Sequence, residues 1–386
     1  MTAVAPPAPA VEALNLFETG PGTPAGKYLR SFWQPVRLSA DLPRGRAQPI
    51  AVMGEQFTLY RGTGGQAVVT QPGCAHRQTL LSVGNVEEDS IRCIFHGWLF
   101  GPDGQCQEAP GQSPGLVERM KIRTYPTHEE YGVIFAYFGQ GEAPHFPDID
   151  GFSKKHGRNM MSALVRDTGT YRRNCNYYIN VENVLDLAHV PYTHRVSSDP
   201  NITEVGFSPD VGAIRGITVE RFDFGVRATE LDSGRVPTVM TVMLPNAMHL
   251  IVDQRDGFLE QVAWRVPIND ECHMSFQIST LHTDEEGKKR YEEYKSRKMD
   301  LISKYPSTEV CAEQILRGDK TLFDFHDHPD LVNIEDHVAQ MGMQFITDPS
   351  KENLAQSDKA VLQLRRMFMS RLGDFVGGAP TVDSDW

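Results

Sequence analysis

Two cysteines and two histidines lie within one short segment of the chain, CAHRQTLLSVGNVEEDSIRCIFH (74–96). One residue separates Cys74 from His76, two separate Cys93 from His96, and sixteen lie between the two pairs. Thiolates and imidazoles bind metals, but a zinc finger pairs cysteine with cysteine and histidine with histidine. A [2Fe–2S] cluster with four thiolate ligands also fits poorly, because only two cysteines are close together.

The mixed pairing is typical of a Rieske centre, in which two cysteines hold one iron and two histidines hold the other. We therefore expect Cys74, His76, Cys93 and His96 to bind a [2Fe–2S] cluster between two loops. Two neutral imidazoles in place of two thiolates raise the reduction potential, which suits a centre that accepts and transfers an electron. The alternative is a zinc-stabilised binding protein, which would be colourless and free of acid-labile sulfide.

A second group of candidate ligands lies in NVENVLDLAHVPYTHR (180–195). His189 and His194 are five residues apart and would not share a face of a regular helix. Pro191 between them can distort the helix and bring both imidazoles to one ion. Non-haem iron oxygenases bind iron with two histidines and one carboxylate, and leave coordination positions open. The carboxylate must come from elsewhere, and the candidates downstream are Asp324, Asp327, Asp330 and Asp336, with His326 and His328 as rival ligands.

The pattern of short apolar runs separated by Gly, Pro and Asp predicts an antiparallel β domain up to about residue 145. A short helix is expected in AGKYLRSFWQ (25–34), and the Pro-rich segment 141–158 is the best linker candidate. Further along, helix is predicted for 174–190 and 284–304, and strands for several runs between 237 and 280. The last helix should start near Ser357 as N-cap and bury the stripe Val361, Leu364 and Phe368.

The predicted fold class is therefore α+β, with an N-terminal antiparallel β domain and a C-terminal domain whose large antiparallel sheet is flanked by helices. The expected boundaries are a flexible tail at 1–24, a Rieske domain at 25–150 and a catalytic domain at 151–386. A chain of 386 residues is long enough for two such domains.

Composition limits the possible partners of the chain. The apolar content of 40 % and the charged content of 23 % are those of a globular protein, and the net charge of −12 disfavours nucleic-acid binding. No apolar run is long enough to span a membrane, and the first residues lack the basic residues of a secretory signal. A cytoplasmic location is expected, where Cys106, Cys175, Cys272 and Cys311 would stay reduced and inert.

The chain resembles the terminal oxygenase component of Rieske non-haem iron oxygenases. Its loops read CAHR and CIFH, without the extra cysteine that each loop carries in the electron-transfer Rieske subunits of respiratory complexes. The segments 20–36 and 346–368 are similar to the branch that includes phthalate 4,5-dioxygenase-like enzymes and aromatic O-demethylases. The sequence departs from this branch at Gln78, where glycine is usual, and in the apolar HVAQMGMQ after Asp336.

The resemblance implies roles for several residues. Asp336 would be the third ligand of a mononuclear Fe(II), beside His189 and His194. Asp186 would link an iron-binding histidine to a Rieske histidine of the neighbouring subunit, which implies a homo-oligomer, most simply a trimer. Asn183, one helical turn before, would lie near the iron.

The implied activity is the oxidation of an aromatic compound with O₂, by ring hydroxylation or O-demethylation, in aromatic catabolism. No G-x-G-x-x-G motif for a nucleotide is present, so an NAD(P)H-dependent reductase, with or without a ferredoxin, must supply the electrons. Alternatives are a Rieske electron carrier with a non-catalytic second domain and a hydroxylase of a non-aromatic substrate. Met240, Met243 and Met248 are candidates to line the substrate pocket, and Arg227, Arg255 and Arg265 are candidates to bind a carboxylate.

Overall fold

The computed structural model describes residues 14–156, 163–198, 216–231, 237–254, 257–343 and 349–381. Within the expected tail at 1–24, the described residues 14–24 pack against the rest of the protein. Leu16 and Thr19 are buried, and the Thr19 backbone N–H donates a 2.8 Å hydrogen bond to Asp270 Oδ1.

The N-terminal domain is built from short antiparallel strands. They are β1 (Gln34–Leu38), β2 (Arg46–Val52), β3 (Glu55–Arg61), β4 (Ala67–Thr70), β5 (Asn85–Glu87), β6 (Ser90–Arg92), β7 (Leu99–Phe100), β8 (Cys106–Glu108), β9 (Thr124–Tyr125), β10 (Thr127–Glu130) and β11 (Val133–Ala136). Three sheets result, in the orders β1-β11-β10, β2-β3-β4-β9 and β5-β6-β7-β8. Two helices accompany them, α1 (Pro24–Arg30) and α2 (Pro114–Arg119).

The C-terminal domain is organised around one large antiparallel sheet. Its strands are β12 (Ala163–Arg173), β13 (Ile217–Phe222), β14 (Gly225–Glu230), β15 (Val239–Met243), β16 (Ala247–Gln254), β17 (Gly257–Asn269) and β18 (Cys272–Thr283). They lie in the order β12-β18-β17-β16-β15-β14-β13.

Helices cover this sheet. They are α3 (Ile149–His156), α4 (Tyr177–Asn183), α5 (Val190–Thr193), α6 (Glu285–Ile302), α7 (Thr308–Leu316), α8 (Leu331–Gly342) and α9 (Lys359–Val376). The predicted α+β fold, with a β-rich N-terminal domain and a helix-flanked antiparallel sheet, is confirmed. None of the helices in the described ranges is long and apolar enough to cross a bilayer.

The pairing register defines the two faces of the large sheet. Tyr171, Ser275 and Arg265 lie side by side on β12, β18 and β17, and we call their side of the sheet the site face. The opposite side, here the domain face, carries Trp264 and Glu260, because side chains alternate along a strand. Trp264 contacts the ring of Phe135 from the N-terminal domain, with centroids 5.2 Å apart.

Two local predictions differ from the structure. The segment 141–158, expected to be a linker, contains α3, whose Ile149 and Phe152 are buried. Ser357 is not the N-cap of the last helix, because it lies inside a 3-10 turn and α9 follows Asp358. The predicted stripe of that helix is confirmed, since Val361, Leu364 and Phe368 are buried in the core.

Candidate metal centres

The two Cys-His loops have the same backbone design. In the first loop Gln78 N–H donates to Cys74 C=O at 2.9 Å, and in the second Gly97 N–H donates to Cys93 C=O at 3.1 Å. The donors have left-handed φ angles of 61° and 71°. Both turns therefore close four residues after the cysteine, and each presents one thiol and one imidazole at its tip.

The side chains of the loops separate by chemical type. Cys74 and Cys93 are buried, whereas the rings of His76 and His96 are exposed at the tip with centroids 4.5 Å apart. Trp98 stacks on His76, with centroids 4.8 Å apart and an interplanar angle of 4°. Two inner thiols and two outer imidazoles fit a Rieske cluster, with one iron on each pair.

Without a metal, the environment acts in opposite directions on the thiol and imidazole ligands. Burial raises the pKa of the Cys74 thiol to about 11, and the nearby Cys93 adds to this rise. A metal bound between the two thiols would reverse the effect, because it binds the thiolate form and releases protons. The pKa of His96 is lowered by lost hydration, by His76 and by Arg77, which favours the neutral imidazole that binds metals.

His189 and His194 lie where the predicted helix is interrupted. Helix α4 ends at Asn183, a 3-10 turn spans Leu187–His189, and the short helix α5 follows with Pro191 in its first turn. His194 is the C-cap of α5. Pro191 was expected to distort the helix between the two histidines, but the interruption follows Asn183 and precedes His189, and Pro191 lies in the first turn of the new helix that joins them.

Three ligand atoms converge at this break. His189 Nε2 and His194 Nε2 lie 3.6 Å and 3.5 Å from Asp336 Oδ1, and Asp336 projects from α8. The three groups together can hold one metal ion, with all ligand atoms within 4.8 Å of one another. This is the two-histidine, one-carboxylate set of non-haem iron oxygenases, so these residues fit a mononuclear iron.

The Nδ1 atoms of both histidine rings, which do not face Asp336, make hydrogen bonds to other groups. His189 Nδ1 bonds to the backbone carbonyl of Asp186, and His194 Nδ1 lies 3.1 Å from Glu335 Oε2. Ser197 fixes Glu335 in turn, with a 2.6 Å bond from its hydroxyl and a 3.1 Å bond from its N–H. Such partners fix the tautomer and turn both Nε2 atoms towards the metal position.

Asp336 has further neighbours that keep it ionised. Asn183 Nδ2 donates to Asp336 Oδ1 at 3.4 Å, and Arg173 Nη2 lies 3.6 Å from Oδ2. Burial acts to raise the pKa of Asp336, but His194, Arg173 and His189 outweigh it and lower that pKa. For His194, burial acts to lower the pKa, but Asp336 and Glu335 raise it above its usual value.

Asp186 occupies a partly exposed position beside this group. One carboxylate oxygen accepts a 3.1 Å hydrogen bond from Ala188 N–H, and the other lies 3.9 Å from His189 Nδ1. Its backbone carbonyl, not its carboxylate, therefore makes the direct contact to His189. Among the described residues, no hydrogen bond or ion pair joins Asp186 to a Rieske histidine of the same chain.

The rival ligands have other partners. Asp324 caps the turn that begins after Thr321, Asp327 pairs with the exposed His326, and Asp330 forms a 2.6 Å ion pair with Lys298. His328 is buried and its Nδ1 accepts a hydrogen bond from Asp330 N–H. The structure thus brings Asp336, and none of these five residues, to the described pair of histidines.

Comparison with known proteins supports this chemistry. Residues 32–126 match the family model of the Rieske [2Fe-2S] domain. The chain is 29% identical over 366 residues to phenoxybenzoate dioxygenase subunit alpha of Ectopseudomonas oleovorans, covering 91% of this chain and 82% of that protein. It is 28% identical over 366 residues to the 5,5'-dehydrodivanillate O-demethylase oxygenase subunit of Sphingobium sp. SYK-6, covering 92% and 78%.

The fold is also that of solved Rieske oxygenases. The structure of NdmA from Pseudomonas putida CBB5 aligns with a TM-score of 0.65 and 19% identity, covering 91% of this chain and 92% of that one. The resemblance to Rieske oxygenase subunits is therefore confirmed, and so is the class of the protein, an oxygenase with a Rieske domain. The Rieske domain implies a [2Fe–2S] cluster, and this class uses a mononuclear iron at the catalytic site.

Proposed function

We propose that the protein is a terminal oxygenase that uses O₂ and externally supplied electrons to oxidise an aromatic substrate, by ring hydroxylation or O-demethylation. The observation that carries this proposal is the convergence of His189 Nε2, His194 Nε2 and Asp336 Oδ1 in a chain that also has a Rieske domain. A Rieske electron carrier with a non-catalytic second domain would have no use for this ligand set.

When bound, the cluster supplies one-electron transfer and the mononuclear iron supplies activation of O₂. The residues of the chain position these groups. Cys74, His76, Cys93 and His96 bind the cluster, and Trp98 covers one of its imidazoles. Glu335 and the Asp186 carbonyl orient the iron-binding histidines, and Asn183 donates to the ligand oxygen of Asp336.

The electrons come from an NAD(P)H-dependent reductase, directly or through a ferredoxin, since the chain has no dinucleotide-binding motif. We place the protein in the cytoplasm, where such reductases operate and where six free cysteines stay reduced.

We further propose that the working form is a trimer in which Asp186 bridges two subunits. Ile94 and Phe95, which precede His96 in its loop, are apolar and 55% and 56% exposed. Tyr192, between the two iron-binding histidines, is 76% exposed. Exposed apolar side chains beside both centres favour a subunit contact that brings one cluster to the iron of the next chain.

A single-turnover experiment tests the proposed reaction. The purified protein is reduced, mixed with a pool of methoxyarenes and aromatic acids, and exposed to isotopically labelled O₂, and the products are identified by mass spectrometry. We expect either a labelled hydroxylated ring or a freed phenol with formaldehyde. The matched control is His189→Ala, which should retain the cluster and form no product. Reoxidation of the cluster without either a labelled hydroxylated ring or a freed phenol from any compound would contradict the proposal.

A further inference from the structure

Two arginines lie buried on the site face, close to the candidate iron site. Arg173 is 1% exposed and Arg265 is 5% exposed. Both guanidinium groups lie over the ring of Tyr171, at 4.7 Å and 5.4 Å from its centroid. Arg173 also approaches Asp336, so this group of three side chains borders the metal ligands.

Most N–H groups of these two arginines have no hydrogen-bond acceptor within the described part of the chain. Among the described residues, no hydrogen-bond acceptor reaches Nε, Nη1 or Nη2 of Arg173, or Nε or Nη1 of Arg265. Arg265 Nη2 donates to the thioether sulfur of Met248 at 2.9 Å, and this sulfur is a weak acceptor. Buried polar groups are nearly always hydrogen-bonded, so a pair of almost unpaired guanidinium groups requires an explanation.

Among the described residues, the two arginines also outnumber the carboxylates that pair with them. Asp336 is the carboxylate that forms an ion pair with Arg173, and its other oxygen faces the two iron-binding histidines. Burial lowers the pKa of Arg265, and the neighbouring charge of Arg173 lowers it further. Two cations in the protein interior, beside a carboxylate that is shared with a metal, make this region attractive for an anion.

The surroundings of Arg265 suit a ring compound. Met248 pairs with Val242 across the sheet, and Met240 pairs with Leu250, so these apolar side chains continue the site face from Arg265. Met243 lies on the opposite face and is buried in the core. Apolar side chains next to a buried cationic group are complementary to an aromatic acid.

We propose that Arg265, supported by Arg173 and Tyr171, is the anion-binding end of the catalytic pocket, and that the substrate is an aromatic carboxylate whose carboxylate group binds Arg265. This proposal rests on the proposed function, because it places the substrate beside His189, His194 and Asp336. The planar guanidinium of Arg265 can bind a carboxylate through two parallel hydrogen bonds. Arg227 does not offer this, since it lies opposite Thr241 on the domain face, and Arg255 lies outside the described residues.

Matched pairs of acids and amides test the charge requirement. The holoenzyme is titrated with 4-methoxybenzoate and 4-methoxybenzamide, with 3-phenoxybenzoate and its amide, and with benzoate and benzamide, by calorimetry and by thermal melting. We expect at least one acid to bind on the order of 30-fold more tightly than its amide, as a buried ion pair would give. If no acid binds more tightly than its amide, the proposal is wrong.

Substitutions assign the effect to Arg265. In Arg265→Gln the preference for the acid over its amide should fall to within about 3-fold. The variant Arg265→Lys should keep part of the preference, because a lysine keeps the charge without the planar guanidinium. The control Arg172→Gln removes the same charge from an exposed position on β12 and should keep the wild-type preference. Equal losses in Arg172→Gln and Arg265→Gln would overturn the proposal.

Two further readouts separate the possible causes of failure. Without ligand, Arg265→Gln should melt at or above the wild-type temperature, because it removes a buried charge that has no carboxylate of its own among the described residues. A large loss of stability would indicate a structural role and contradict the proposal. Labelled oxygen in the product of a neutral arene, without a preference for acids, would leave the proposed function intact and refute the anion site.

Discussion

At the scale of single residues, the candidate iron site depends on groups that do not touch the metal. Glu335 bonds to Nδ1 of His194, and the Asp186 carbonyl bonds to Nδ1 of His189. Both Nε2 atoms therefore remain available for the ion. Nothing in the sequence links residue 335 to residue 194, because their contact exists only when α8 packs beside α5. Ligand type and family context pointed to His189, His194 and Asp336, which the fold brings together, whereas nothing in the sequence pointed to Glu335 or Arg173.

Glu335→Gln should weaken iron binding without affecting the cluster. The substitution removes the charge that orients His194 and favours its role as a ligand, and changes of this kind typically cost about 10- to 100-fold in metal affinity. The measurement is the dissociation constant of Fe(II), obtained by competition with a chelator. Glu313→Gln, on the neighbouring helix α7, is the control and should bind iron as the wild type does. An unchanged Fe(II) affinity in Glu335→Gln would contradict this account.

Gln78 is a second residue whose effect can be measured. It adopts a left-handed φ of 61° at the position that Gly97 occupies in the other loop. A side chain in this conformation costs about 1 kcal/mol, so Gln78→Gly should raise stability by up to about 1 kcal/mol. The reciprocal control, Gly97→Ala, should lower it by about 1 kcal/mol, since its φ is 71°. Both are read as shifts in melting temperature, and a destabilised Gln78→Gly would refute the prediction.

At the scale of secondary structure, strands β15 to β18 were predictable because their apolar runs are long and β-branched. Strands β12 to β14 were not predicted. Their sequences, such as ALVRDTGTYRR, place charged residues on both faces. One of those charges is Arg173, which is buried at the end of β12. The unusual composition of β12 thus reflects its position beside the candidate metal site, which only the folded sheet reveals.

The central strands also contain a buried ionic group on the domain face. Glu260 of β17 accepts hydrogen bonds of 2.7 Å from His249 Nε2 and 2.9 Å from His282 Nε2, on the strands at either side. Burial acts to raise the pKa of Glu260, but these two histidines lower it to about 2. Because the carboxylate of an unfolded chain titrates near pH 4.5, the folded form of Glu260 contributes stability above that pH.

This contribution should disappear in acid. As the pH falls from about 5 to about 2, Glu260 becomes protonated and roughly 3 kcal/mol of stability is lost. Melting temperatures measured across this range should therefore fall more steeply for the wild type than for Glu260→Gln. Glu271→Gln, at an exposed position in the turn between β17 and β18, should follow the wild-type curve. Parallel curves for the wild type and Glu260→Gln would show that the buried carboxylate makes no such contribution.

At the scale of the whole molecule, the proposed trimer predicts complementation between defective subunits. Cys93→Ser should lack a functional cluster and His189→Ala should lack the mononuclear iron, so each variant alone should be inactive. In every mixed trimer, one of the three contacts would join an intact cluster to an intact iron site, so about a third of the wild-type activity should return.

Tagged mixed assemblies, isolated by sequential affinity steps, provide the measurement. A mixture of His189→Ala with His194→Ala is the control and should stay inactive, because both variants lack the same site. Activity that fails to return in the Cys93→Ser and His189→Ala mixture, although each subunit keeps its other metal, would show that electrons do not cross between subunits.

A count of iron and acid-labile sulfide shows most directly whether one chain holds two different iron centres. We predict two sulfides and three irons per chain, two irons in the cluster and one between His189, His194 and Asp336. His189→Ala should lose one iron and keep both sulfides and the Rieske spectrum. A wild-type protein with only two irons, or a His189→Ala variant that still holds three, would contradict the account.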